Sequence, residues 1–174
     1  MEAPNRRVSR RLAPGAAASA PSPGIAAGVW GTIAVAMALR MGHFNDFEGA
    51  NAILMSGGPD DLRLLVATFT LLARTSSTEP LELHALSFVR VREPLRVLAF
   101  RSESDGGLRR LREMVFEWRI SEEGWLEFAE KTASVVAAQA PAHNYLSSFG
   151  HDEAVVKVSC QEYDDGWWSM RGVS

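Results

Sequence analysis

Four side chains in this sequence are of the types that hold a metal or move a proton in concert: His84, His143, His151 and Glu162. Imidazole and carboxylate suit zinc and its neighbours. His84 and His143 stand in corresponding contexts, Leu-His-Ala-Leu and His-Asn-Tyr-Leu. No pair has the His-x-x-x-His spacing that puts two rings on one helical turn, so the histidines read as strand residues bonded to neighbouring backbone or carboxylates. No metal site is expected. Cys160, the only cysteine, alternates with Val156 and Val158 and reads as a small buried hydrophobe. As a nucleophile it would need a base beside it, and nothing in the sequence puts His143 or His151 there. One cysteine also excludes an intrachain disulfide and a cysteine-cluster metal site.

The paired acids Asp60-Asp61 and Glu122-Glu123 are the types used in acid/base work, but each pair opens an apolar periodic segment. There it complements the positive end of a helix. The chain has no Gly-x-Gly-x-x-Gly, no phosphate loop with its lysine and no serine in a nucleophile elbow, so neither a cofactor nor a catalytic residue is expected. The run from Gln161 to Trp168 differs. Glu162, Tyr163, Asp164, Asp165, Trp167 and Trp168 set three large aromatics beside three carboxylates. Tyr and Trp are enriched at binding hot spots and the acids would oppose a basic partner, so these six are the candidate contact residues. The other reading is that the two tryptophans close an open end of the core while the acids stay solvated.

The elements that must position these residues follow from an internal echo. Ile53 and Met55 fall on Phe116 and Trp118 at a spacing of 63, and Leu62, Leu65, Val66 and Leu72 fall on Trp125, Phe128, Ala129 and Val135. The first copy predicts a strand over 51–56 and a helix opened by Gly58, Pro59 and the two Asp residues, with Leu62, Leu65, Phe69 and Leu72 on one face. The second predicts a strand over 114–120, then a helix capped by Ser121. Each helix is followed by two predicted strands, 81–91 and 95–101 in one copy and about 143–146 and 154–163 in the other. Residues 102–107 read as the loop between copies. The expectation is class α+β: a duplicated β-α-β-β unit over about 51–101 and 114–163, giving one mainly antiparallel six-stranded sheet with two helices on one face. Leu86, Phe88, Leu98 and Phe100 would lie on the sheet's other face, to be covered by the N-terminal segment, a second copy or a partner.

At 174 residues and 47% apolar content the chain can bury an ordinary core. Its net charge of −3 is unevenly spread, because residues 1–45 carry five of the 18 basic residues and one of the 21 acidic ones. The body over 46–174 is therefore acidic, would repel phosphate backbones unless it carried a basic patch, and would attract a basic protein. Residues 1–45 read as a low-complexity extension. The Arg-rich start and the apolar 24–39 stretch resemble a signal peptide, although the Pro/Ala/Ser spacer between them does not. Alternatively, the extension reflects an early translation start, with Met37 or Met41 as the true one, or an ordered first element. That stretch is too short for a comfortable membrane span, and a cytoplasmic protein is expected.

The strand-Gly-Gly-helix at 53–73 with Leu81-Glu82-Leu83-His84-Ala85-Leu86, and the ending His143-Asn144-Tyr145-Leu146, Val156-Lys157-Val158-Ser159 and Glu162-Tyr163, resemble small bacterial immunity proteins of polymorphic toxin systems. The resemblance covers about 51–163. It implies a non-enzymatic protein that binds and blocks a toxin, here a basic one, and transfers no functional residues. Two alternatives stand beside it. One is a scaffold, such as a homodimer, that self-associates through the open sheet face; the other is a small enzyme using His143, His151 or Glu162.

Overall fold

The computed structural model describes residues 38–92, 94–138, 141–147 and 152–172. His151, one of the candidate ligands, lies outside the described residues, as does the extension before Ala38. The class is α+β. Among the described residues, three helices accompany two mixed sheets, of five and four strands, in place of the expected single six-stranded antiparallel sheet.

Both long helices form as their sequences predict. Helix α1, Pro59–Arg74, has Gly58 as N-cap, and Asp61 reaches back so that its Oδ2 accepts the Gly58 N–H at 3.0 Å. Helix α2, Glu122–Ala137, is capped by the Ser121 hydroxyl accepting from the Gly124 N–H. Their apolar stripes meet one another. Phe69 stacks on Trp125 at 5.4 Å between centroids, and Trp118 and Phe128 complete the group.

The strands depart further from expectation. The first, β1 (Leu39–Phe47), falls mostly within the expected extension, so the boundary at 45 is corrected: Leu39 and Met41 are core residues in a strand between two neighbours. It is joined to β2 (Ala50–Gly57) by Glu48 and Gly49, both at positive φ, as a two-residue hairpin turn needs. The long strand expected over 81–91 is broken into β3 (Leu81–Glu82), one 3₁₀ turn at Leu83–Ala85 and β4 (Val89–Val91). Strand β5 is Arg96–Arg101. The expected inter-copy loop leads at once into β6 (Gly107–Arg112), which makes a hairpin with β7 (Val115–Ile120). Strands β8 (Ala142–Leu146) and β9 (Val155–Cys160) follow α2, and a short helix α3 (Asp165–Ser169) ends the described chain.

The five-stranded sheet runs β4-β1-β2-β9-β8, and the four-stranded one β3-β5-β7-β6. The two central pairs, β2 with β9 and β5 with β7, are parallel, and the first joins residues far apart in sequence, such as Ile53 with Val156. One core cluster draws on both sheets and both long helices, with Met41, Ile53 and Val156 from one sheet and Val97, Phe116 and Trp118 from the other. Of the face expected to lie open, Leu86 and Phe88 pack against this core, while Leu98 and Phe100 turn to the opposite face of β5 and stay half-buried, with Arg119 4.3 Å over the Phe100 ring. Among the described residues no helix is long and apolar enough to cross a membrane.

Candidate functional site

The outer face of the five-stranded sheet carries the residues of interest. Alternation turns Met41, Ile53 and Val158 to the core, and so turns Gly42, Phe44, Leu54, Ser56, Lys157 and Ser159 outward. Pairing brings them into rows. Gly42, Leu54, Lys157 and Tyr145 form one row, and Arg40, Ser56, Ser159 and His143 the next.

Helix α3 lies across this face. Asp164 is its N-cap, its Oδ1 accepting the Trp167 N–H at 2.7 Å. Trp168 is fully buried against Leu54, with Phe44, Phe47, Tyr163 and Trp167 packed around the pair. Gly42 makes this docking possible, since a Cβ there would stand 3.2 Å from Trp168 Cζ3. Of the six expected contact residues, then, Trp168 is inside and Trp167 is half-buried, its ring 4.6 Å from that of Tyr163. Asp164 and Asp165 are exposed, and Asp165 pairs with Arg40 at 2.7 Å.

Glu162 is drawn into a network instead of facing a partner. Its Oε1 accepts from His143 Nδ1 and its Oε2 from the Ser159 hydroxyl, both at 2.7 Å. Burial opposes ionisation of Glu162, but the bonds from His143 and Ser159 outweigh it and hold the carboxyl below its ordinary value. The structure thus brings His143 and Glu162 together. It leaves His84 in the 3₁₀ turn beside the other sheet, where Nδ1 contacts the Val97 backbone and Nε2 accepts from Arg96. Ser159 and His143 both bind the carboxylate and not each other, so this is not a base-activated nucleophile. Among the described residues no cluster of three His, Cys, Asp or Glu is placed to hold a metal. Cys160 is buried, and burial pushes its thiol up, away from the thiolate.

Beside this network lies a group that sequence reasoning missed. Lys157, with a side chain only 3% exposed, donates to Glu48 Oε1 at 3.0 Å and to the Tyr163 hydroxyl at 3.0 Å. The rings of Phe47, Tyr145 and Tyr163 each have a centroid within 5.4–5.7 Å of its ammonium. Burial works to lower its pKa, but the bonds with Tyr163 and Glu48 prevail and raise it above the ordinary lysine value. Tyr145 in turn donates to Glu48 at 2.9 Å. The available signal was a lone lysine between two valines of an otherwise apolar strand.

Removing the acid from this pair costs more than removing the base. Glu48→Ala leaves a buried ammonium with Tyr163 as its one close partner and Glu162 at 3.9 Å, and should lower stability by about 1–3 kcal/mol. Lys157→Met fills the same space and leaves a carboxylate that is already half in water, so its cost should stay within about 1 kcal/mol. Urea unfolding of the two variants gives the order directly.

Between β1, β2 and α3 lies a cavity of about 500 Å³, lined by residues that include Arg40, Ser56, Gly57, Gly58, Tyr163, Asp164, Asp165 and Trp168. Trp168 forms part of its apolar wall, and its buried indole N–H has no hydrogen-bond partner among the described residues. Gln161, at φ +59, turns the chain from β9 toward α3 along the cavity rim. The floor is the β2–α1 junction, where a Cβ on Gly57 would lie 2.9 Å from that of Asp61.

No known family model, curated protein or solved structure matches this chain.

Proposed function

We propose that the protein is a non-enzymatic binding module whose cavity under α3 receives a basic side chain of a protein partner. A basic toxin held by its immunity protein is the example that the sequence resemblance suggests. The observation that carries the reading is the cavity itself. Its walls, with Trp168 and Tyr163 among them, suit the aliphatic stem of an arginine or lysine, and Asp164 and Asp165 at its edge suit the charged head. Arg40 already holds Asp165 there by an internal pair, which an incoming guanidinium would replace. The acidic balance of residues 46–174 favours the approach of such a partner, and the setting is taken to be the cytoplasm.

The notion of a duplicated chain belongs to the same proposal. Its support is that β1-β2-β9-β8 and β6-β7-β5-β3 both run antiparallel, parallel, antiparallel, with the copies exchanging their last strands.

The test is titration of the full chain with N-acetylarginine amide, reading the Trp168 indole resonance, followed by capture of partners on the immobilised protein. A shift of Trp168 that disappears in Asp164→Asn/Asp165→Asn, together with a basic partner lost in the same variant, is expected. Capture that is unchanged in that variant assigns the contact to another surface and ends the reading.

A further inference from the structure

At the far end of the core, remote in function from that cavity, His43 projects from β1 between the two sheets. It is 5% exposed, and its ring lies 5.0 Å from that of Phe116 on β7. Two arginines converge on it. Arg110, on the edge strand β6, brings a guanidinium nitrogen to 3.3 Å from His43 Nε2 while lying 5.3 Å over Phe116. Arg92, just beyond β4, lies 5.4 Å over the Phe44 ring, with its backbone held by the Met41 carbonyl. Arg40, Arg63, Arg96, Arg101 and Arg119 have carboxylate partners, whereas the guanidiniums of Arg92 and Arg110, like those of several exposed arginines such as Arg109, have none among the described residues. Both rest on aromatic rings, and Arg92 lines with His43, Phe44 and Met114 a cleft of about 420 Å³, which Arg110 reaches through its contact with His43.

We propose that Arg92, Arg110 and His43 form a binding site for a small oxyanion, a phosphate or carboxylate group of a low-molecular-weight ligand. Two unpaired guanidiniums around a buried imidazole are the donor set that such a group needs. Asp46 and Glu113 line the same cleft without pairing to either guanidinium, and Glu153 Oε2 accepts from the Arg110 backbone N–H at 3.3 Å. They limit the occupant to a compact anion and disfavour a nucleic-acid backbone.

The site has a recognisable signature. Burial, then Arg110, then Arg92 hold His43 below its ordinary pKa. The unfolded chain therefore binds the proton more readily, and this residue's contribution to stability is lost as pH falls below about 6.5. A bound oxyanion reverses the balance, because it favours the imidazolium.

The experiment follows the His43 ring resonance of the full chain over pH, alone and with inorganic phosphate, succinate or sodium chloride at matched ionic strength. The expected result is a raised His43 pKa with phosphate or with succinate, whichever group the site takes, but not with chloride. Arg92→Gln and Arg110→Gln should each weaken the effective anion by about tenfold. A His43 titration that phosphate and succinate leave where chloride leaves it overturns the site. So does an effect that survives both substitutions.

Discussion

A chain that begins at Phe44 will not fold. Cutting there removes Leu39, Met41 and His43, three residues buried to 5% exposure or less, and leaves β2 and β4 without the strand that joins them. Burial of Leu39 and Met41 contributes about 1.5–3 kcal/mol each, and the backbone groups of β2 would lose their ladder on one side. Net stabilities of domains are about 5–15 kcal/mol, so the loss approaches the whole. Far-UV circular dichroism and urea unfolding of residues 44–174 should show no cooperative transition, while the full chain shows one. A cooperative transition in the shortened chain would mean that β1 is an appendage of the sheet. A start at Met41 should also fail, since Leu39 and Arg40 are lost with their pairing to β4 and to Ser56.

Trp168→Ala should cost about 3–5 kcal/mol, the range for a fully buried tryptophan, and its effect should be larger on function than on the main core. Trp168 and Leu54 are the fully buried members of a cluster separate from the main one, so its loss frees α3 from the sheet while Trp118, Trp125 and Phe69 keep their packing. The cavity under α3 loses a wall, and binding of an arginine side chain should vanish with it. Tryptophan fluorescence and hydrogen exchange separate the two effects: α3 and the Gln161 turn should exchange freely while α1 and α2 stay protected. Equal loss of protection in α1 would show that the two clusters unfold as one.

The parts legible in the sequence were those whose forces are local. Gly58-Pro59-Asp60-Asp61 and Ser121-Glu122-Glu123 sit in the first turns where their chemistry belongs, and the Leu62-Leu65-Phe69-Leu72 stripe lies inward. What escaped depends on partners distant in the chain. Strand β1 follows directly on an Ala/Gly-rich stretch and its alternation, Leu39, Met41 and His43 against Arg40 and Gly42, is short and includes a polar ring, so it is defined by β2 and β4 on either side. The edge strand β6 reads Leu-Arg-Arg-Leu-Arg, with Leu108 its buried apolar residue and Leu111 exposed. The parallel pairing of β2 with β9 sets residues about a hundred positions apart beside each other, and no short-range pattern carries that information. At the candidate site, the aromatic-acidic ending was visible as composition. Its division into a buried Trp168, a capping Asp164 and a networked Glu162 was not, because each role is assigned by the sheet beneath it.

Lys157 also sets the chemical reactivity of the molecule. The chain has 18 basic residues, and all but Lys131 and Lys157 are arginines. With Lys157 enclosed by Phe47, Tyr145 and Tyr163 and held protonated by Glu48, an acylating reagent meets one open side-chain amine, at Lys131 on α2. The folded protein is thus addressable at one lysine, and the other becomes available when the sheet's outer face comes apart.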